Sequence, residues 1–337
     1  MGPIVTDQTP PKGPLDRLAL ACAADMDRVA DLIRTRMASR NAPRIPEITA
    51  HLVDAGGKRV RPMLTVAAAR LCGYGADGGD DHIKLAATVE FIHTATLLHD
   101  DVVDESQQRR GRPTANLLWD NQSSVLVGDY LFARSFQLMV QTGSLRVLDI
   151  LSGAAATIAE GEVLQLTAAR NVATDEATYL QVVRGKTAAL FEAAAQVGGV
   201  VARAPEVQVE ALAAYGDALG ISFQMVDDWL DYGGAGDGIG KDLGDDFREG
   251  KLTLPVIRAI ARGDDAERAF WKDAMERGRG DFAQAQAIIA RHGTLEETRR
   301  EALTWRDRAV AALDHLPRHP LRDMLSDLAH YVVARAS

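Results

Sequence analysis

Two short acidic runs concentrate the chemistry in this sequence. "LLHDDVVDES" at 97–106 and "MVDDWLDYGG" at 225–234 each contain the spacing DDxxD. On a helix, Asp100 and Asp104 lie one turn apart on one face, with Asp101 about 100° round. Asp227, Asp228 and Asp231 repeat that arrangement. Like charges at i, i+4 destabilise an isolated helix by about 0.2–0.5 kcal/mol, and buried carboxylates without partners cost far more. Yet each run is joined to an apolar stretch, "FIHTATLL" in one case and "ISFQMV" in the other. A local rule broken twice in the same way marks a functional site rather than two solvated helix ends. Divalent cations would remove the penalty. Oxygen-only ligands suit hard Mg²⁺, which keeps waters and takes substrate phosphates as its remaining ligands.

Phosphate needs basic partners, and the chain supplies several. "GGKRVRP" at 56–62 places Lys58, Arg59 and Arg61 after two glycines at the start of a helix. There the backbone can approach an anion and the helix N-terminus favours negative charge. "RRGRPT" puts Arg109 and Arg110 just beyond the first acidic run, and arginine forks match diphosphate oxygens. "RGKT" offers Lys186 and Thr187, and "GIGKD" offers Lys241. Each cluster alone reads as a solvated face; together with the paired acidic runs they read as a diphosphate site. Competing motifs fail. A P-loop requires glycine where Leu180 and Ala235 stand, and the glycines at 233–240 follow a helix rather than a strand.

The elements that must hold these groups are helices. Helical patterns run over about 14–38, 44–54, 60–73, 81–105, 113–140, 144–169, 175–199 and 205–232, then 252–262, 265–277, 280–292, 295–315 and 319–334. No run alternates apolar and polar residues long enough to predict a strand. The expectation is one all-α domain over 1–337, with 1–13 disordered. With 47% hydrophobic and 25% charged residues the chain can bury a large core. A formal charge of −9 argues against nucleic acid as a partner. Two cysteines, Cys22 and Cys72, are too few for a disulfide framework, and no apolar run reaches membrane-spanning length. The expected location is the cytoplasm.

From "GGKRVRP" through "EFIHTATLLHDDVVDES", "RRGRPTAN", "SVLVGDYLFARSF", "EGEVLQL", "RGKTAALF" and "FQMVDDWLDY" to "GKDLGDDFREGKLTLPV", the chain closely resembles the trans-polyprenyl diphosphate synthases. The resemblance covers nearly the whole length. It implies the isoprenoid synthase fold, helices surrounding a deep central cavity, in a homodimer. It also implies Mg²⁺-dependent condensation of an allylic diphosphate, such as farnesyl diphosphate, with isopentenyl diphosphate, releasing diphosphate. By matching motifs, Asp100 and Asp104 would bind Mg²⁺ with Asp101 in support. Asp227 and Asp231 would hold a further ion with Asp228 nearby, three ions in all with diphosphate bound. Arg109, Lys186, Thr187, Gln224 and Lys241 would bind the allylic diphosphate. Lys58, Arg61, His93 and Arg110 would bind isopentenyl diphosphate, with Arg59 and Lys251 as further candidates. His99 receives no role.

The flanks of the first acidic motif resemble those of long-chain synthases that make quinone tails. One turn below Asp100 stand Ala95 and Thr96, where aromatic residues in the family act as a floor that stops growth early. Both are small here, so a long product can pass, with Phe136, Leu138 and Met139 as candidates for a deeper floor. The expected product is all-trans decaprenyl diphosphate for a ubiquinone side chain, handed to a membrane. Octaprenyl, nonaprenyl and geranylgeranyl products are the alternatives. A terpene cyclase would carry an NSE-type second motif in place of the second DDxxD. A non-catalytic subunit would lack some of the aspartates or arginines, and none is missing.

Overall fold

The computed structural model describes residues 13–39, 41–54, 56–75, 79–109, 111–233 and 243–334. The first half of the chain contains α1 (Pro14–Met37), α2 (Arg44–Asp54), α3 (Val60–Leu71), α4 (Asp81–Val103), α5 (Ala115–Leu118), α6 (Asn121–Gln141) and α7 (Leu145–Ala168). Then come α8 (Glu176–Val183), a π-helical turn (Arg184–Ala188), α9 (Ala189–Val201) and α10 (Glu206–Gly233). The C-terminal part holds α11 (Asp245–Glu249), α12 (Leu254–Arg262), α13 (Asp265–Arg277), α14 (Phe282–His292), α15 (Thr294–Ala312) and α16 (Pro320–Ala334). The one pair of strands among the described residues, β1 (Gln108–Arg109) and β2 (Arg112–Pro113), forms a short antiparallel hairpin between α4 and α5.

Local chemistry sets the helix ends. Asp120, Ser144, Asp175 and Asp281 each accept a backbone N–H from the third residue of the helix that follows, and Asp264 with Glu267 forms a reciprocal capping box on α13. Two expected helices are interrupted. The segment predicted over 113–140 breaks at Trp119 and Asp120, because the Asp120 carboxylate accepts from Ser123 N at 2.5 Å and starts a new helix. The segment predicted over 175–199 contains the π turn at 184–188. The five-residue α11 was not expected at all, since it lies in the glycine- and aspartate-rich stretch that reads as a break.

α10 runs through the centre, buried on nearly every side, and packs between α9 and α15. A close backbone approach fixes this crossing. A Cβ on Gly216 would lie 2.4 Å from the Phe191 carbonyl oxygen, and one on Gly220 2.6 Å from Ala188 Cα. α3 packs on α4 and α9, α4 on α6, and α7 on α9. These contacts enclose two apolar clusters. The main core includes Leu18, Phe91, Leu98, Phe191, Tyr215 and Trp271. The second is confined to α4, α6, α7 and α9 and includes Leu85, Val89, Ile92, Met139, Leu151 and Leu190. Each buried aliphatic side chain contributes about 1.5–3 kcal/mol relative to exposure.

Candidate active site

The first acidic motif closes α4, and its three aspartates point to different tasks. Asp101 is completely buried, and Oδ1 accepts from Arg109 Nε at 2.8 Å and pairs with its terminal nitrogen at 2.7 Å. The hairpin that carries Arg109 is thus tied to the helix end. Asp100 is largely buried and pushed up to about 7 by that burial; Lys186 opposes the rise, while Glu162 and Asp104 add to it. Asp104 forms the C-cap, with its N–H donated to the Asp100 carbonyl.

Opposite stands the π turn. α7 approaches it through two glycines: a Cβ on Gly161 would lie 2.7 Å from Lys186 N, and one on Gly185 2.8 Å from Gly161 Cα. The residues next to those glycines, Glu162 and Lys186, are brought together, and Lys186 Nζ donates to Glu162 Oε2 at 2.8 Å while lying 4.0 Å from Asp100. The extra residue of a π turn widens the spacing, and Lys186 and Thr187 line one cavity. Thr187 Oγ1 donates to Gln224 Oε1 at 2.8 Å, and Gln224 Nε2 donates to Asp228 Oδ1 at 2.8 Å.

The second acidic motif ends α10. Asp228 is buried, and its other carboxylate oxygen accepts the Tyr179 hydroxyl at 2.6 Å. Burial raises its carboxyl to about 6, against the stabilising hydrogen bonds from Tyr179 and Gln224. Asp231 accepts the backbone N–H groups of Asp245 and Asp246 at 3.2 and 3.1 Å, so this expected metal ligand holds the start of α11. Asp227 is the half-buried member of the three. A cavity of about 90 Å³ is lined by Tyr179, Lys186, Thr187, Gln224, Asp228 and Lys251, among others. Lys251, expected among the isopentenyl ligands, belongs to this cavity instead. Burial opposes its charge, but Asp246, Glu249 and Asp104 hold its pKa above the ordinary lysine value.

The other expected basic group forms a separate cavity of about 280 Å³, lined by Lys58, Arg59, Arg61, Glu90, His93, Phe191 and Phe223. Gly56, Gly57 and Arg59 all have positive φ, which turns the chain sharply into α3. The Arg61 guanidinium sits over the Phe191 ring, 4.4 Å from its centroid, and 3.4 Å from His93 Nε2. Lys58 donates to the Tyr331 hydroxyl at 3.2 Å. Arg110 and Lys241, expected as ligands of the two diphosphates, lie outside the described residues.

Below Asp100 the two small residues part company. Thr96 is about 40° from Asp100 around α4 and partly exposed, whereas Ala95 is about 140° away and completely buried in the main core. Continuing down the Asp100 face, Ile92, Val89 and Leu85 all belong to the second apolar cluster. Of the deeper candidates, Met139 is in that cluster, Leu138 is in the main core and Phe136 is 43% exposed. His99 faces α6, where its Nε2 is 3.1 Å from the Val125 carbonyl and its ring stacks on Phe132. Glu162 and Tyr179 were not singled out from the sequence. "EGEVLQL" contained the first as a motif, but nothing in the sequence pairs Tyr179 with an aspartate 49 positions away.

The donor set fits a hard divalent cation. Asp101 Oδ2 and Glu162 Oε1 are buried without hydrogen-bond partners, and Asp100 and Asp228 are carboxyls that burial drives toward neutrality. All would be relieved by positive charge. Among the described residues no three acidic, histidine or cysteine side chains converge enough to hold a cation alone, so oxygens from a bound phosphate would have to complete the shell.

A sequence model described as "Polyprenyl synthetase" matches residues 42–291. The chain is 43% identical over 323 residues to the octaprenyl diphosphate synthase of Escherichia coli K12, covering 92% of this chain and 99% of that one. The crystal structure of a decaprenyl diphosphate synthase from Rhodobacter capsulatus superposes with a TM-score of 0.93 at 67% identity, covering 96% of this chain and 100% of the other. A polyprenyl synthase from Caulobacter crescentus CB15, complexed with calcium and isoprenyl diphosphate, gives 0.90 at 49% identity, covering 98% and 100%.

Proposed function

The chain belongs to the polyprenyl synthetase family, and on that premise we propose that it elongates an allylic diphosphate with successive isopentenyl diphosphates to a long all-trans product. The observation that carries this reading is the division of its basic residues between two cavities. One holds Lys186, Thr187, Gln224 and Lys251 beside the acidic helix ends; the other holds Lys58, Arg61 and His93. A reaction that joins two diphosphate esters needs two such places.

Asp100, Asp104, Asp227 and Asp231 would hold Mg²⁺, three ions in all with diphosphate bound; the ions would neutralise charge on the departing diphosphate. Lys186 and Lys251 supply fixed positive charge at the same end, with Gln224 as a neutral donor. Arg109, anchored by Asp101, adds a guanidinium beside the acidic end of α4. Lys58, Arg61 and His93 orient the second substrate so that its double bond faces the allylic carbon. The apolar walls exclude water from the allylic cation. The lengthening tail is placed along the Thr96 face of α4, in the cluster shared with α6, α7 and α9. The relatives point to a long product, and decaprenyl diphosphate is the proposed one, the 67% identical neighbour being a decaprenyl synthase.

Among the described residues no helix is long and apolar enough to cross a membrane. A cytoplasmic homodimer that delivers its product to a membrane completes the proposal. The outer faces of α6 and α7 support the dimer, since they expose Leu126, Phe136, Val140, Leu145, Val163 and Leu166. The decisive experiment incubates the protein with labelled isopentenyl diphosphate, farnesyl diphosphate and Mg²⁺, then chromatographs the dephosphorylated products. Long-chain polyprenols are expected; no incorporation, or cyclised hydrocarbon, would overturn the reading.

A further inference from the structure

We propose that Tyr179 is a positioning residue for the allylic diphosphate, acting through Asp228 to orient the Gln224 amide. This deepens the function proposed above and rests on it. By the resemblance, Asp228 would stand beside the metal ligands and Thr187 would bind the allylic diphosphate. The geometry gives both another task. Asp228 is 3% exposed, and both its oxygens are engaged, Oδ2 by the Tyr179 hydroxyl and Oδ1 by Gln224 Nε2.

The consequence follows from donor and acceptor counting. Turning the Gln224 amide over would set its carbonyl oxygen against the Asp228 carboxylate, so Nε2 must face Asp228 and Oε1 must face Thr187. Thr187 then donates its one hydroxyl proton to Oε1, at 2.8 Å. It is committed to holding the amide, and the diphosphate must find its donors elsewhere. Gln224 Nε2 carries two protons, and only one goes to Asp228. The second is the neutral donor offered to the cavity that Lys186 and Lys251 also line.

Tyr179 lines the same cavity but is 5% exposed, and its one hydroxyl proton goes to Asp228, so it has no donor left for a ligand. Without that hydroxyl, Asp228 can rotate and the amide loses its fixed direction. A hydrogen bond to a charged group contributes enough for its loss to be read kinetically.

The test is Tyr179→Phe, which removes one oxygen and leaves the ring. The expected result is a KM for farnesyl diphosphate raised about tenfold, with the KM for isopentenyl diphosphate within about twofold of the unsubstituted enzyme. Because Tyr179 acts only through Gln224, the effect should vanish when both enzymes also carry Gln224→Ala. An unchanged farnesyl diphosphate KM, equal effects on both substrates, or the same tenfold effect in the Gln224→Ala background each overturn the proposal. If Tyr179→Phe does not fold, judged by circular dichroism, Thr187→Val tests the opposite end. Its effect too should be selective for farnesyl diphosphate and disappear with Gln224→Ala, whereas persistence would return Thr187 to direct contact with diphosphate and overturn the scheme. Turnover by the unsubstituted enzyme separates the two levels. Its absence overturns the functional reading and this device with it, while turnover with a silent Tyr179→Phe overturns this device alone.

Discussion

At the scale of single residues, the acidic motifs are places where the fold tolerates instability. Asp100 has a folded pKa of about 7, far above its ordinary value of 3.8, because burial disfavours the carboxylate. The folded state therefore holds this proton more tightly than the unfolded state does. Stability falls as pH rises from about 4 to about 7 and stays lowered above that. Asp100→Asn removes the charge and keeps the shape. Without Mg²⁺ at pH 8, the variant should melt a few degrees higher than the parent, a gap that closes near pH 4. Its turnover should fall by orders of magnitude. Equal melting temperatures at pH 8, measured by calorimetry, would refute the cost assigned to Asp100. The sequence made Asp100 and the basic motifs legible because their spacing is local. It could not show Asp101 turned inward onto Arg109, or Lys251 in the other cavity, because those depend on where the hairpin and α11 fold back.

At the scale of elements, helices were legible from their apolar period, and the interruptions that aim side chains were not. The π turn adds one residue per turn without disturbing the apolar positions on either side, so 175–199 reads as one helix. Its register is fixed from outside, by the contact of Gly185 with Gly161 on α7. Gly185→Ala should therefore act very differently from an alanine placed in a neighbouring helix. The new Cβ would lie 2.8 Å from Gly161 Cα, and backbone cannot yield as a side-chain tip can. A loss of about 1–3 kcal/mol is expected, together with a raised KM for the allylic diphosphate as Lys186 shifts. Gly153 also lies in α7, but a Cβ there meets nothing within 4 Å. Gly153→Ala should stabilise by about 0.5–1 kcal/mol through helix propensity alone. Denaturant melts of the two variants decide it: losses of similar size in both would mean that the crossing does not set the register.

At the scale of the whole molecule, the outer and inner surfaces of the α6–α7 layer carry separate expectations. Outside, Leu126 and Val140 are two full heptads apart on α6 and 67% and 64% exposed. Replacing both with Glu should convert a dimer to monomers in sedimentation, while an unchanged mass would send the interface elsewhere. Inside lies the proposed route for the product. From Asp100 the α4 face descends through Thr96, Ile92 and Val89 to Leu85, a stripe about 22 Å long at 1.5 Å per residue. Below Thr96 it is walled by Met139, Leu151 and Leu190 from three other helices. A tail bound by its diphosphate at Asp100 must pass Thr96 first. Thr96→Phe places a ring across that entrance without touching a diphosphate ligand, so products should shorten while the rate of first condensation survives. Ala95→Phe has no such outlet. Its ring would enter the packed main core, at a cost of about 1–3 kcal/mol, and stability rather than product length should suffer. Product chromatography beside thermal melts separates these outcomes. Full-length product from Thr96→Phe at the parent rate, or short product from a fully stable Ala95→Phe, would place the tail against the main core, and the second apolar cluster would then be ordinary packing.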